Sequence, residues 1–373
     1  MSVASIDPGP PLPASEELAA WREPFPYLRE RVYLDTAAAG LTWQGHGAAV
    51  ARFYDDVKSR GYDARPEWQA LTQRVRSRLA NLLGVAPADV TFVSNTTEGL
   101  NLASQSLRLA AGDRIVLAAD EFPSVARVWE AARRGGAEVM PVAIASEADR
   151  EDDLLSALDA RTRLLVVSHT HSSTGTTVDL ERMGAHCRER GVLLMVDGIQ
   201  ALGTVPVDLS SVDIYAASFF KWMLSGFGVG MLVTSARARA AMTPAYRGYA
   251  NIDDASQLQY AHVNMPALYG LDATLDFFER IGWAAVHRRV RDLGTHLIAG
   301  AAARGLDLVT PPAQRAAIFV VRCPDGEATR QRLAARNISV SARGAGVRIA
   351  PHFYNTNDEI DQCLDALALA VQP

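Results

Sequence analysis

Lysine is almost missing from this 373-residue chain: of 37 Lys and Arg residues only Lys58 and Lys221 are lysine. Cysteine is scarce too. Cys187, Cys323 and Cys363 lie far apart and form no Cys-x-x-Cys or Cys/His cluster, which argues for a reducing compartment and against a disulfide framework or a bound metal. No apolar run is long enough to span a bilayer, and no signal-type leader opens the chain. Positive charge is not in surplus either. A net charge of −5 argues against nucleic acid or an anionic membrane as partner, so the expectation is a soluble, cytoplasmic protein.

What is present is enough apolar material for one large or two moderate domains, at 49% hydrophobic. Residues 1 to about 20 hold Pro8, Pro10, Pro11 and Pro13 among small residues and read as a flexible lead-in. Helical spacing follows over 44–60 and 66–84, stopped by Gly84 with Pro87 just after. Apolar runs at Val90–Val93, Arg114–Ala118, Glu138–Ala143, Leu164–Ser168, Val192–Val196 and Ile214–Ala217 then alternate with helical patterns. This predicts an α/β fold with a mostly parallel sheet covered on both faces, whose ligands sit at the carboxyl ends of the strands. Residues 266–304 turn helical again. Strands at Ile318–Cys323, Ile338–Ala342 and Val347–Ala350, with helices over 327–336 and about 357–370, predict a smaller α+β unit.

Lys221 stands among Phe219, Phe220, Trp222 and Met223. Burying an unpaired ammonium is costly, so such a lysine tends to lose its charge, and the neutral amine is a nucleophile able to form a Schiff base. The alternative is a lysine whose stem covers apolar surface while its head reaches water. A chain that uses arginine for nearly all its positive charge favours the first reading, because arginine stays protonated. Lys58, in Asp55-Asp56-Val57-Lys58, reads as a solvated face.

Two further stretches carry chemistry. Ser94-Asn-Thr-Thr-Glu-Gly99 follows a strand and opens a helix, so the free N–H groups and hydroxyls at Thr96 and Thr97 form either an anion cradle or an ordinary N-cap. Asp197 ends an apolar run and lies 24 residues before Lys221, about one helix-to-strand unit, which places the two at the tops of adjacent strands. Such a carboxylate is either structural or the partner of a cation. Against a protonated ring nitrogen it would hold the proton in place, as pyridoxal phosphate (PLP) requires to act as an electron sink.

In that order, Asn95-Thr-Thr-Glu98, Asp197-Gly-Ile-Gln200 and Ser218-Phe-Phe-Lys-Trp222 resemble the motifs of fold-type I PLP enzymes of the class V aminotransferase superfamily. Its members include cysteine desulfurases, selenocysteine lyases and isopenicillin N epimerases. The resemblance runs from Tyr33-Leu-Asp-Thr-Ala-Ala to the end. It implies a lead-in over 1–30, a PLP-binding domain over 31–265 and a small domain over 266–373. By the same resemblance Lys221 carries the cofactor, Asp197 pairs with its ring nitrogen and Gln200 bonds its ring hydroxyl. Thr96, Thr97 and Ser218 would hold the phosphate, Phe122 would stack on the ring, and Ser172 would approach the cofactor's oxygen side. Arg348, in Gly346-Val-Arg-Ile-Ala-Pro-His352, is implied to clamp the substrate α-carboxylate through its planar guanidinium. His262 and Asn264 would reach the phosphate of a neighbouring subunit, implying a homodimer with the site at the interface. His171 reads as a loop histidine with satisfied partners rather than an acid or base.

Cysteine desulfurases carry a nucleophilic cysteine on a loop just before that arginine, whereas Ser341-Ala-Arg-Gly-Ala-Gly-Val347 is short and has none. The expected reaction is therefore C–S β-lysis of an S-substituted cysteine, with a thiol or sulfoxide leaving group. The alternatives are amino-acid transamination or epimerisation, and decarboxylation with oxidative deamination. A PLP-binding regulator without turnover is the non-enzymatic alternative.

Overall fold

The computed structural model describes residues 15–254 and 257–371. The proline-rich stretch read as a lead-in lies outside them up to residue 14. From Ser15 the chain is already helical, in α1 (Ser15–Arg22). That helix is held because Trp21 packs edge-on against Phe353, with ring centroids 6.1 Å apart, and Arg22 pairs with Glu359 at 2.7 Å.

After β1 (Val32–Tyr33) come α2 (Gln44–Arg60) and α3 (Arg65–Leu83), the latter ended by Gly84 in the left-handed conformation. A seven-stranded sheet follows, built from β2 (Val90–Val93), β3 (Arg114–Ala118), β4 (Glu138–Val142), β5 (Thr162–Ser168), β6 (Leu193–Asp197), β7 (Ile214–Ser218) and β8 (Gly230–Thr234). Its strand order is β2-β8-β7-β6-β5-β3-β4, parallel except for β8, which runs antiparallel to both neighbours. Every residue of β2, β6, β7 and β8 is buried, as expected of strands with both faces covered. One face packs on Leu79, Leu83, Leu271 and Leu275, the other on Leu100, Val125 and Trp129.

The remaining strands are β9 (Phe319–Arg322), β10 (Ile338–Ser339), β11 (Ser341–Arg343) and β12 (Gly346–Ile349). The single strand expected over 338–342 is broken at Val340, because its halves serve different partners: β10 pairs with β1, whereas β11 joins the antiparallel sheet β11-β12-β9. An aromatic cluster of Phe25, Phe277, Phe278, Phe353 and Tyr354 packs with Trp222 and with Val320 of β9. No helix among the described residues is long and apolar enough to cross a membrane.

Leu165, in the middle of β5, is fully buried. Leu165→Ala is expected to cost about 2–5 kcal/mol through lost transfer energy and a cavity. Urea unfolding of both proteins would check this, a loss under about 1 kcal/mol being inconsistent with the packing.

Candidate active site

The carboxyl ends of the parallel strands converge on one cavity of about 330 Å³, lined by Asn95, Thr96, Thr97, Phe122, Ser124, Ser168, Thr170, Ser172, Asp197, Ile199, Gln200, Ser218, Phe220 and Lys221. Strand geometry explains the gathering. Ser168, Asp197 and Ser218 are the last residues of β5, β6 and β7, and Ser168 and Asp197 are register partners.

Lys221 lies in the turn after β7, its Nζ 5.7 Å from the centroid of the Phe220 ring. The turn is clamped. Gly40 N–H donates to the Phe220 carbonyl at 2.9 Å, Leu224 N–H to the Lys221 carbonyl at 3.1 Å, and Ser225 N–H to the Phe219 carbonyl at 3.0 Å. Leu224 takes φ +53, a left-handed conformation that costs free energy unless the surroundings enforce it. His352 completes the clamp with Nε2 2.8 Å from the Trp222 carbonyl. Gly40 is required here: a β-carbon on it would fall 2.0 Å from the Lys221 carbonyl oxygen.

Burial lowers the Lys221 amine below the ordinary lysine value, with Arg348 and Arg343 pushing the same way against Asp197. Asp197, 4% exposed, is pushed up by burial and by nearby Glu121. Its Oδ1 accepts the Ile199 N–H at 3.0 Å, and among the described residues no ion pair reaches it. Lys58, by contrast, is 79% exposed and pairs with Asp55.

At the other end of the cavity Asn95 caps α4 (Thr96–Ser106), accepting the Glu98 N–H at 2.9 Å, so the ordinary N-cap is formed. Ser218 Oγ accepts the Thr96 N–H at 2.7 Å and lies 2.8 Å from Thr96 Oγ1. Thr97 Oγ1 lies 2.9 Å from Ser124 Oγ. The Thr97 N–H belongs to the first helical turn and has no partner within the helix. Gln200 accepts from the Trp222 indole at 2.9 Å and donates to the Ala37 carbonyl at 3.1 Å, which leaves one amide N–H to spend. Phe122, just before α5 (Pro123–Arg127), is 46% exposed over the mouth.

Arg348 on β12 is 2% exposed. It donates to the Ser172 carbonyl at 3.2 Å and to Asp35 at 3.3 Å, while its buried Nε has no partner. Asp35 is itself fixed by Ser341 Oγ at 2.8 and 2.7 Å. His171 is not aimed at the cavity: its ring nitrogens meet Thr174 Oγ1 at 2.9 Å and the Asp120 carbonyl at 3.0 Å. His262 and Asn264 also stand away from Lys221, on a separate cleft of about 650 Å³ that includes Phe53, Tyr62, Trp68 and Tyr249.

Several site residues were not singled out from sequence. Ser124 and Asp35 lay inside stretches that drew attention for other reasons, but nothing local marks a hydroxyl as facing Thr97 or an acid as facing Arg348. Ser168 was visible only as a strand end. Glu121, which accepts from the Ser168 N–H at 2.9 Å and from its hydroxyl at 2.6 Å, gave no signal beyond its place after a strand.

The class-V aminotransferase family profile matches residues 32–363. The chain belongs to that family. The isopenicillin N epimerase of Amycolatopsis lactamdurans is 31% identical, over 91% of this chain and 96% of its own. Among solved structures, a C-DES variant with glycine covalently linked to its PLP cofactor superposes with TM-score 0.86 at 26% identity, covering 93% of this chain and 98% of that one. The cystine C–S lyase C-DES bound to its product cysteine persulfide gives 0.85 at 26% identity, covering 92% and 99%. The fold is that of these fold-type I PLP enzymes, with its mostly parallel sheet.

The residues on hand suit PLP. A buried carboxylate held by no ion pair matches a protonated ring nitrogen, a helix start ringed by hydroxyls matches a phosphate, and a lysine with depressed basicity matches an aldehyde.

Two outcomes are expected here. With only two lysines, mass-spectrometric acylation of the cofactor-free protein across pH reads Lys221 separately from Lys58. The Lys221 midpoint should fall below the ordinary 10.5, and a midpoint at or above that value contradicts the lowered basicity. Gly40→Ala should weaken retention of the cofactor about tenfold or more by displacing the Lys221 backbone; equal retention on dialysis would contradict the close approach.

Proposed function

We propose that this chain is a PLP-dependent C–S β-lyase acting on an S-substituted cysteine, the observation carrying the reading being a cavity with one amine base, one buried carboxylate and no thiol. Bound PLP supplies the electron sink that makes an amino acid's α-proton acidic. Lys221 Nζ is the general base that takes this proton. Asp197 holds the ring nitrogen's proton at its carboxylate, and Gln200 gives its spare N–H to the ring hydroxyl. Thr97, Ser124 and Ser218 hold the phosphate with the amides of the α4 start. Phe122 covers the ring, and Ser172 faces its oxygen side. Arg348 receives the substrate carboxylate on two N–H groups, its unpartnered Nε and the adjacent Nη, and so fixes the amino acid's orientation. The Cβ–S bond then breaks, sulfur leaving with its substituent as a thiolate that takes up a proton, and with water taken up the net products are a thiol, pyruvate and ammonium.

Two observations favour lysis. All three cysteines are buried and none lines the cavity, so no thiol stands ready to accept sulfur. Among the lining residues only Asp197 and Lys221 titrate, which suits chemistry with a single base. Epimerisation is the second reading, carried by the 31% identity to an isopenicillin N epimerase, but it calls for a proton donor on the opposite face of the substrate.

The same reading makes the protein a homodimer, in which His262 and Asn264 meet the neighbouring copy's phosphate across the aromatic cleft.

Incubating holoenzyme with S-alkyl cysteines should release thiol and pyruvate in equal amounts. A new amino acid with stoichiometric keto acid would point to transamination, and α-deuterium uptake with inversion to epimerisation; either without pyruvate overturns lysis. Lys221→Ala should lose about 10²–10⁴-fold in turnover, whereas Arg348→Lys should raise KM about tenfold or more by losing the two-pronged contact. Steady-state kinetics decides both.

A further inference from the structure

The hairpin that holds Arg348 carries a second arginine that the reaction outlined above does not use. On β11 Ser341 and Arg343 are two apart and share a face, and their register partners on β12 are Arg348 and Gly346. Cross-strand partners lie on one face of a ladder, so Ser341, Arg343 and Arg348 all project to the same side. Two contacts show which side that is: Ser341 Oγ and Arg348 Nη2 both reach Asp35. Opposite Arg343 stands Gly346, which has no side chain to fill the space.

The turn at the end of the hairpin is pressed against the cavity's edge. Gly344 takes φ +55, and a β-carbon there would lie 2.7 Å from the carbonyl oxygen of Ser173, the neighbour of cavity-lining Ser172. Arg343 therefore stands on the face that holds Arg348, one residue from the turn that meets Ser173, next in the chain to cavity-lining Ser172. It is exposed, and among the described residues the one hydrogen bond of its side chain goes to the carbonyl of its own neighbour Ala342 at 3.1 Å. Among the described residues it forms no ion pair, whereas Arg330 and Arg322 nearby in sequence pair with Glu327 and Asp307. Its charge is felt inside the site, acting on both Lys221 and Arg348.

We propose that Arg343 is a specificity-determining residue that binds an anionic group, a carboxylate above all, at the far end of the substrate's side chain. With Arg348 on the α-carboxylate and the amine at Lys221, a side chain leaving the cavity passes the hairpin tip, where the Arg343 guanidinium has four N–H donors beyond the one given to Ala342. The preferred substrates are then S-substituted cysteines whose substituent ends in a carboxylate rather than a neutral group. This rests on the assignment of Arg348 to the α-carboxylate and of the cavity to amino-acid chemistry.

The test compares S-carboxymethylcysteine with its neutral isostere S-carbamoylmethylcysteine on the holoenzyme. Binding is read from the shift in cofactor absorbance, which depends on binding and not on which reaction follows; pyruvate is assayed separately. The acid should bind about tenfold more tightly than the amide, the modest size reflecting an exposed and screened contact. Arg343→Gln should erase that ratio, Arg343→Lys should keep most of it, and raised salt should narrow it. Equal binding of acid and amide by the unmodified protein, a ratio that survives Arg343→Gln, or no binding of the acid at millimolar concentration each overturns the role of Arg343. A ratio that Arg343→Gln erases without any pyruvate release upholds Arg343 and overturns C–S lysis instead.

Discussion

A single amine set into an apolar turn governs the architecture around it. Lys221 follows the end of β7, and the neighbouring strand β6 ends in Asp197, so two groups that water would keep charged line one cavity. Burial acts on them in opposite directions, lowering the lysine and raising the aspartate. A protein that maintains such a pair without a ligand carries a desolvation cost. That cost is offset when an aldehyde takes up the amine and a cationic ring nitrogen meets the carboxylate, so the site is complementary to a group bearing both.

The segment from Val32 to Leu41 ties this pair to the rest of the site. Its start pairs with β10, and Asp35 bridges to Ala350 and meets Arg348. Further along, the Ala37 carbonyl holds the Gln200 amide, and Gly40 grips the Phe220 carbonyl. Ten residues therefore set the Gln200 amide, the lysine turn and Arg348 relative to one another. The rigidity matters because proton transfer depends on holding donor and acceptor at fixed separation and angle.

Much of this was legible in the residues alone. Most strands of the large sheet stood out because both their faces are buried, which leaves apolar runs: Val90–Val93 and Arg114–Ala118 match the observed strands residue for residue. Lys221 stood out because the chain otherwise avoids lysine. The antiparallel direction of β8 was not legible, since an apolar run has no polarity. Nor was the break at Val340, which follows from two partners in different sheets. The Asp35–Arg348 pair spans 313 residues and leaves no local trace. Arg343 resembles any surface arginine until the register of its hairpin shows which face it shares.

The central claim is that Lys221, and no other group, is the attachment point of the cofactor. Reducing the PLP-loaded protein with borohydride and mapping its peptides tests this directly. The account requires the phosphopyridoxyl mass on the peptide containing Lys221. Its appearance on Lys58 or on the terminal amine with Lys221 unmodified would contradict it.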